Sequence, residues 1–261
     1  MLSAPCFVLS DAHLGPAPKE AERTLLELLA LARTQATSIV INGDLFDFWF
    51  EWRHVMPRTG FRVLAALAAL RDAGVDVLWI AGNHDCWGGD VLTRDVGAEY
   101  HVGPWRGELA GWRALVEHGD GLREKEDAPY RRLRTLLRNP LAIRAFRWIH
   151  PDTATRIALR SSHTSRNMRP RDGGDGLRHV ALARLRTEPS LDLYVYGHSH
   201  ATAIGRSETG GVFANPGAWM DEPAFLRVTA ERVELCRLAK GTIDVVETLP
   251  RREHRTAPTG S

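Results

Sequence analysis

Short runs of apolar and β-branched residues recur along the chain and mostly stop at a polar or glycine-containing turn, at residues 6–9, 38–41, 75–81, 114–116 and 193–196. Between the first three lie residues 19–33 and 61–72, whose apolar positions return at spacings of three and four. Strand-length patterns alternating with helix-length ones predict an α/β fold on a layered sheet. After Leu193 the rhythm changes to short strands joined by turns, at 211–214, 224–229, 233–238 and 242–248, which predicts a second, more antiparallel sheet.

Between 121 and 190 the strand pattern gives way to helices. Asp127 is placed to cap the first, with Pro129 in its first turn; Asn139 and Pro140 end it, and Pro151 and Asp152 separate the second from the third. The reading is a core of residues 1–120 and 176–250, a helical insertion at 121–175 and a flexible tail at 251–261. Asp172 to Gly176 forms the exit loop, and residues 179–186 a helix returning to the core.

The 261 residues, 44% of them hydrophobic, suffice for a sizeable core. A net charge of +2 excludes the overall basic excess of a non-specific nucleic-acid binder, so no nucleic acid is expected as a partner. That balance hides an asymmetry: residues 121–175 carry thirteen Arg or Lys against six Asp or Glu, a local +7 that leaves −5 elsewhere. The three cysteines, Cys6, Cys86 and Cys236, are too few and scattered for a disulfide framework or a thiolate cage, which points to a reducing compartment. Neither a signal-like start nor a run of about 18 apolar residues is present, so the expectation is a soluble or peripheral, cytoplasmic protein.

Five polar fragments follow predicted strands: Ser10-Asp11-Ala12-His13, Asn42-Gly43-Asp44, Gly82-Asn83-His84-Asp85, Glu117-His118-Gly119-Asp120 and Gly197-His198-Ser199-His200. Alternation along an extended backbone puts Asp11 and His13 on one side, able to grip a cation. Gly43 lets the chain turn so that Asp44 presents two oxygens, enough to bridge two ions. Singly, the first fragment reads more readily as a turn with locally bonded polar residues, and each of the others has that reading too. Five at strand ends, where ligands of α/β folds collect, point together to one metal-binding crevice. His, Asp and a carbonyl oxygen without thiolate suit Mn²⁺, with Zn²⁺ or Fe²⁺ as alternatives.

In this order the fragments resemble the calcineurin-like metallophosphoesterase superfamily over most of the chain. The resemblance implies a four-layer α/β/β/α sandwich and two divalent metal ions, one held by Asp11, His13, Asp44 and His200, the other by Asp44, Asn83, His118 and His198. Asp44 and a shared hydroxide would lie between ions at the roughly 3.5–4 Å spacing of two-metal hydrolases. His84 would act beside the reacting phosphorus, as an imidazolium stabilising its oxygens or protonating the leaving group. Asp85 either orients His84 as a second catalytic residue or caps the following turn.

A finer resemblance lies in the contexts Asn42 to Trp49, His118 to Leu122, Tyr130, Arg156-Ile157-Ala158 and Ser165-Arg166, which look like bacterial UDP-2,3-diacylglucosamine pyrophosphohydrolase. That family splits a lipid A precursor into 2,3-diacylglucosamine 1-phosphate and UMP at the cytoplasmic face of the inner membrane, under a helical lid that shelters the acyl chains. By that resemblance Asn83, His84, Tyr130, Arg160, Ser165 and Arg166 contact substrate, a nucleotide-linked lipid phosphate. Leu133, Leu136, Leu137, Leu141, Ile143, Phe146, Trp148, Ile149, Ile157 and Leu159 give the lid apolar surface for acyl chains, and its arginines meet phosphate or anionic membrane. The chain departs from that family in carrying His84 where Gly-Asn-Arg-Asp has arginine, around Ser161 to His163, and in its closing Asn215 to Trp219. The alternatives are a phosphodiesterase or phosphomonoesterase with another substrate, and a non-enzymatic scaffold, which would have no need of seven converging ligands.

Overall fold

A computed structural model describes the backbone of residues 1–167 and 172–252, and side chains outside 161–167 within that range. The chain opens with β1 (Cys6–Leu9), α1 (Lys19–Gln35), β2 (Ser38–Asn42), α2 (Phe61–Asp72), β3 (Asp76–Ile80) and β4 (Glu99–His101). A hairpin of β5 (Trp105–Leu109) and β6 (Trp112–Val116) follows. Helices α3 (Ala128–Leu137), α4 (Pro140–Phe146) and α5 (Pro151–Asn167) come next, then α6 (Asp175–Thr187). The chain ends in β7 (Leu193–Val195), β8 (Ala203–Arg206), β9 (Val212–Asn215), β10 (Ala224–Val228), β11 (Arg232–Ala239) and β12 (Thr242–Pro250).

Two sheets result, ordered β12-β11-β10-β1-β2-β3-β4 and β5-β6-β7-β9-β8. Strands β1 to β4 are parallel, with Val8 opposite Val40 and Val40 opposite Leu78. Such strands are covered on both faces, and alternate side chains serve different layers. Phe7, Leu9, Ile39, Ile41 and Trp79 pack against Leu25, Leu28 and Leu67 of α1 and α2. Val8, Val40 and Leu78 meet Val116, Val195 and Ala214 of the second sheet. The outer face of that sheet, through Leu115, Tyr194 and Phe213, is covered by Leu177, Ala181 and Leu185 of α6. This is the expected α/β/β/α order.

The C-terminal strands correct the expectation of a separate antiparallel sheet. Strand β10 pairs antiparallel with β1, Cys6 opposite Val228, so β10 to β12 extend the first sheet. Apolarity on both faces of β10 makes this favourable: Phe225 enters the helix-side core while Leu226 enters the core between the sheets. The pattern missed β4, β5 and β8, which all lie at sheet edges and are too short or too interrupted by polar residues to stand out.

Asp127 precedes α3 but makes no capping hydrogen bond, because its carboxylate accepts from the Arg123 backbone N–H at 2.9 Å and from the Arg123 guanidinium at 2.7 Å. Asn139 does cap α4, accepting from the Leu141 N–H at 2.8 Å. The expected exit loop is shorter than anticipated, since α6 already begins at Asp175 behind Gly174. The Arg251 guanidinium lies 5.0 Å from the Trp112 ring and pairs with Asp192, so the start of the expected tail is held; residues 253–261 lie outside the described residues.

The apolar residues of α3 to α5 divide by face. Ile143, Phe146, Ile149 and Ala158 pack on Phe48, Phe50 and Trp52 of the loop after β2, with the Phe50 and Phe146 rings 4.9 Å apart. Leu133, Leu136, Leu141, Trp148, Ile157 and Leu159 are exposed, and Leu137 is half-buried. No described helix is long and apolar enough to cross a membrane.

Candidate metal centre

The five fragments leave the carboxyl ends of β1, β2, β3, β6 and β7, and backbone hydrogen bonds tie them together. The Asp11 and His13 N–H groups donate to the Gly43 and Asp44 carbonyls at 3.1 and 2.9 Å, Trp49 N–H to His84 O at 3.0 Å, and Gly197 N–H to His118 O at 2.8 Å. His198 N–H donates to Asp11 Oδ2 at 3.0 Å, closing the ring between β1 and β7.

Asp11 and His13 do not converge by extended alternation, as the sequence suggested. Seven non-glycine residues among those described have positive φ, and Asp11, His13, Asp44, His198 and His200 are five of them. This left-handed region is costly for most side chains and persists where the surroundings over-determine it. Here it reverses the chain just beyond each strand and turns the side chains inward. Gly82 is required for a different reason: a Cβ there would overlap Asp44 Oδ1.

Two donor groups form on either side of Asp44. Asp11, His13 and His200 make one, and Asp44, His118 and His198 the other; His13, Asp44 and His84 form a third, overlapping set. Asp44 Oδ2 lies 3.2 Å from His118 Nε2 and 3.8 Å from His13 Nε2, and Asp11 Oδ1 lies 3.4 Å from His200 Nε2. Asp11 Oδ1, Asp44 Oδ2, Asn83 Oδ1 and His118 Nε2 are all buried without a hydrogen-bond partner. Burying such atoms is costly unless something satisfies them, and their convergence fits divalent cations bound through N and O.

The electrostatics agree. Burial alone would raise the Asp11 and Asp44 carboxyls, but His118 and the other imidazoles outweigh it and hold both well below the usual range. Burial would likewise lower His118, yet Asp44 and Asp11 hold it well above its ordinary value. The cluster therefore favours positive charge at its centre.

The profile of the calcineurin-like phosphoesterase family matches residues 4–202. The chain belongs to this family. It is 34% identical over 219 residues to a Porphyromonas gingivalis protein named UDP-2,3-diacylglucosamine hydrolase, covering 74% of this chain and 82% of that one. Proteins of the same name from Stutzerimonas stutzeri and Stenotrophomonas maltophilia R551-3 are 29% and 30% identical, over 78% and 89% of this chain and 85% and 98% of theirs. The family makes the chain a metal-dependent phosphoester hydrolase, and its Asp and His clusters could hold divalent ions.

Within this family site the imidazoles are fixed from behind. His118 Nδ1 lies 2.9 Å from the Asn42 carbonyl, which accepts its proton and directs Nε2 at Asp44. His84 Nδ1 lies 2.9 Å from the Asp47 carbonyl, while His13 Nδ1 lies 3.4 Å from Asp47 Oδ1 and His200 Nδ1 3.1 Å from Asp221 Oδ2. Partners of this kind set the tautomer of a ligating histidine. Asp47 and Asp221 were missed as functional residues; Asp47 stood inside a quoted motif, but Asp221 had no local signal.

Asp85 does not orient His84. Its Oδ1 accepts from Gly82 N–H at 2.7 Å and its Oδ2 from Leu45 N–H at 2.9 Å and the Trp79 indole at 3.3 Å. It is a brace between the second and third loops. Burial, reinforced by His13, holds His84 below its ordinary pKa against the pull of Asp44. Tyr130 donates to Asp120 Oδ2 at 2.7 Å, near Arg134 and Arg138 at 3.8 and 3.5 Å from the same oxygen. Arg160 is exposed on α5, and the side chains of Ser165 and Arg166 lie outside those described.

Proposed function

We propose that the chain hydrolyses the pyrophosphate of UDP-2,3-diacylglucosamine to 2,3-diacylglucosamine 1-phosphate and UMP. The observation that carries the reading is Asp44, buried between two donor groups, in a chain resembling proteins named for that substrate. Asp11, His13, Asp44 and His200 would hold one ion, and Asp44, Asn83, His118 and His198 the other, with Mn²⁺ preferred for this N/O donor set and Zn²⁺ or Fe²⁺ tolerated. When bound, such ions lower the pKa of a water and neutralise charge developing on phosphoryl oxygens.

The protein's part is preorganisation. Asp44 Oδ1 is fixed by the His84 N–H at 2.9 Å, so Oδ2 keeps its place between the donor groups. His84, held through Nδ1 by the Asp47 carbonyl, presents Nε2 toward Asp44 Oδ2 at 3.9 Å. There, once Nε2 has taken a proton from solvent, the ring would donate a hydrogen bond to a phosphoryl or leaving-group oxygen, at the place where the lipid A enzyme has arginine.

Helices α3 to α5 serve as the lid. Their packed face rests on Phe50 and Trp52, and their exposed Leu133, Leu136, Leu141 and Trp148, interspersed with arginines, offer apolar surface to acyl chains and cationic charge to an anionic membrane at the cytoplasmic face. Tyr130 and Arg160 would contact the substrate from this lid, with Asn83 and His84 at the metal centre. The test is the Mn²⁺-loaded protein assayed with UDP-2,3-diacylglucosamine beside a generic phosphodiester. UMP release from the lipid nucleotide is expected; activity confined to the generic ester would transfer the assignment to a phosphodiesterase of other specificity.

A further inference from the structure

On one side of the sandwich, α6 and the edge strand β8 border a cavity of about 730 Å³ that Glu247 of β12, an edge strand of the first sheet, also lines. Thr202, two residues beyond His200, forms part of its wall, yet none of the proposed metal ligands lines it. Its size is within the range of small-molecule sites.

Its charges are lopsided. Arg178 and Arg186 stand two helical turns apart on α6, on either side of Leu182, and Arg206 faces them from β8. Among the described residues none of the three pairs with a carboxylate, whereas Arg106, Arg113 and Arg123 do so at 2.6, 2.9 and 2.7 Å. Half-buried Arg206 donates instead to the carbonyls of Gly210 and Pro250, and burial together with the nearby Arg252 pushes its pKa down. Glu208 and Glu247 also line the cavity, and both are exposed. The apolar floor includes Ile204 and Phe213, with the Arg178 guanidinium 6.0 Å from the Phe213 ring.

Guanidinium groups that no carboxylate pairs with, beside an apolar floor, match an anion with an apolar body, and several arginines together suit phosphate oxygens best. We propose that this cavity binds a phosphate ester, its phosphate among Arg178, Arg186 and Arg206 and its compact apolar or planar portion on Ile204 and Phe213. A soluble nucleotide has both parts, and a phospholipid headgroup shares the phosphate. The proposal is independent of the hydrolytic reading, because the cavity contains none of its residues.

The full chain as purified is titrated calorimetrically with inorganic phosphate and with UMP, and floated with phosphatidylglycerol or phosphatidylcholine vesicles. The variants are Arg206→Gln and the double Arg178→Gln/Arg186→Gln; the double removes only exposed side chains and so keeps the fold, checked by circular dichroism. Expected is a binding event weakened at least tenfold in the double variant, with turnover of a generic phosphodiester unchanged. Loss seen with UMP or phosphate identifies a soluble ester, and loss seen only in phosphatidylglycerol flotation identifies a headgroup. Binding of every probe undiminished in both variants, or no binding by the parent protein, overturns the proposal.

Discussion

His200 Nδ1 lies 3.1 Å from Asp221 Oδ2, a carboxylate 21 positions further along the chain. With that oxygen accepting the Nδ1 proton, Nε2 is left directed at Asp11 Oδ1, 3.4 Å away. The pair is the arrangement that fixes the tautomer of a ligating imidazole.

Replacing Asp221 by Ala should therefore weaken metal binding by roughly 10–100-fold while leaving the fold intact, since the carboxylate is largely exposed. Activity should return at excess metal. A titration of activity against Mn²⁺ that superimposes on the parent curve would remove Asp221 from the site.

Asp44→Asn separates charge from shape. The amide oxygen can still accept the His84 N–H, so the loop survives, but the charge of Oδ2 is lost where both donor groups meet. Turnover should fall by roughly 10²–10³-fold or more, with an unchanged circular dichroism spectrum. Parent-like turnover would refute the bridging role.

The two faces of the lid predict opposite outcomes at Phe146 and Leu136. Phe146→Ala opens the aromatic cluster with Phe50 and Trp52 and should cost about 1–3 kcal/mol of stability, less than a fully buried Phe because the ring is only half-buried. Leu136→Ser should leave the melting temperature unchanged and depress use of the lipid substrate more than of a soluble ester. Equal losses on both substrates would show that Leu136 supports the fold instead.

Burial pushes the Cys6 and Cys86 thiols up to about 12 and Cys236 up to about 11. The reactive form is the thiolate, so a raised pKa means little reactivity at neutral pH and a gain only as pH rises toward these values. An aromatic disulfide reagent at pH 7.5 should label no thiol in the native protein and three after denaturation. Rapid labelling of the native protein would contradict this burial.

Much of the centre was readable locally. Asp11, Asp44, Asn83, His118 and His198 each follow a recognisable strand, and strand ends in α/β folds point to one crevice. Their partners were less readable. Asp47 holds His84 through a backbone carbonyl, a function its side-chain type does not advertise, and Asp85 looks catalytic in sequence yet spends both oxygens on Gly82, Leu45 and Trp79.

The sequence by itself determined the helix and strand periods of the core, the chemistry of the donors and the charge contrast between insertion and body, because each of these is a property of neighbouring residues. Tertiary structure decided which donors come together, that β10 joins β1 across more than two hundred residues, and that Phe146 packs inward while Leu136 faces out. Those outcomes depend on which apolar faces are covered and which buried polar atoms find partners, and only the folded chain brings the competing surfaces together.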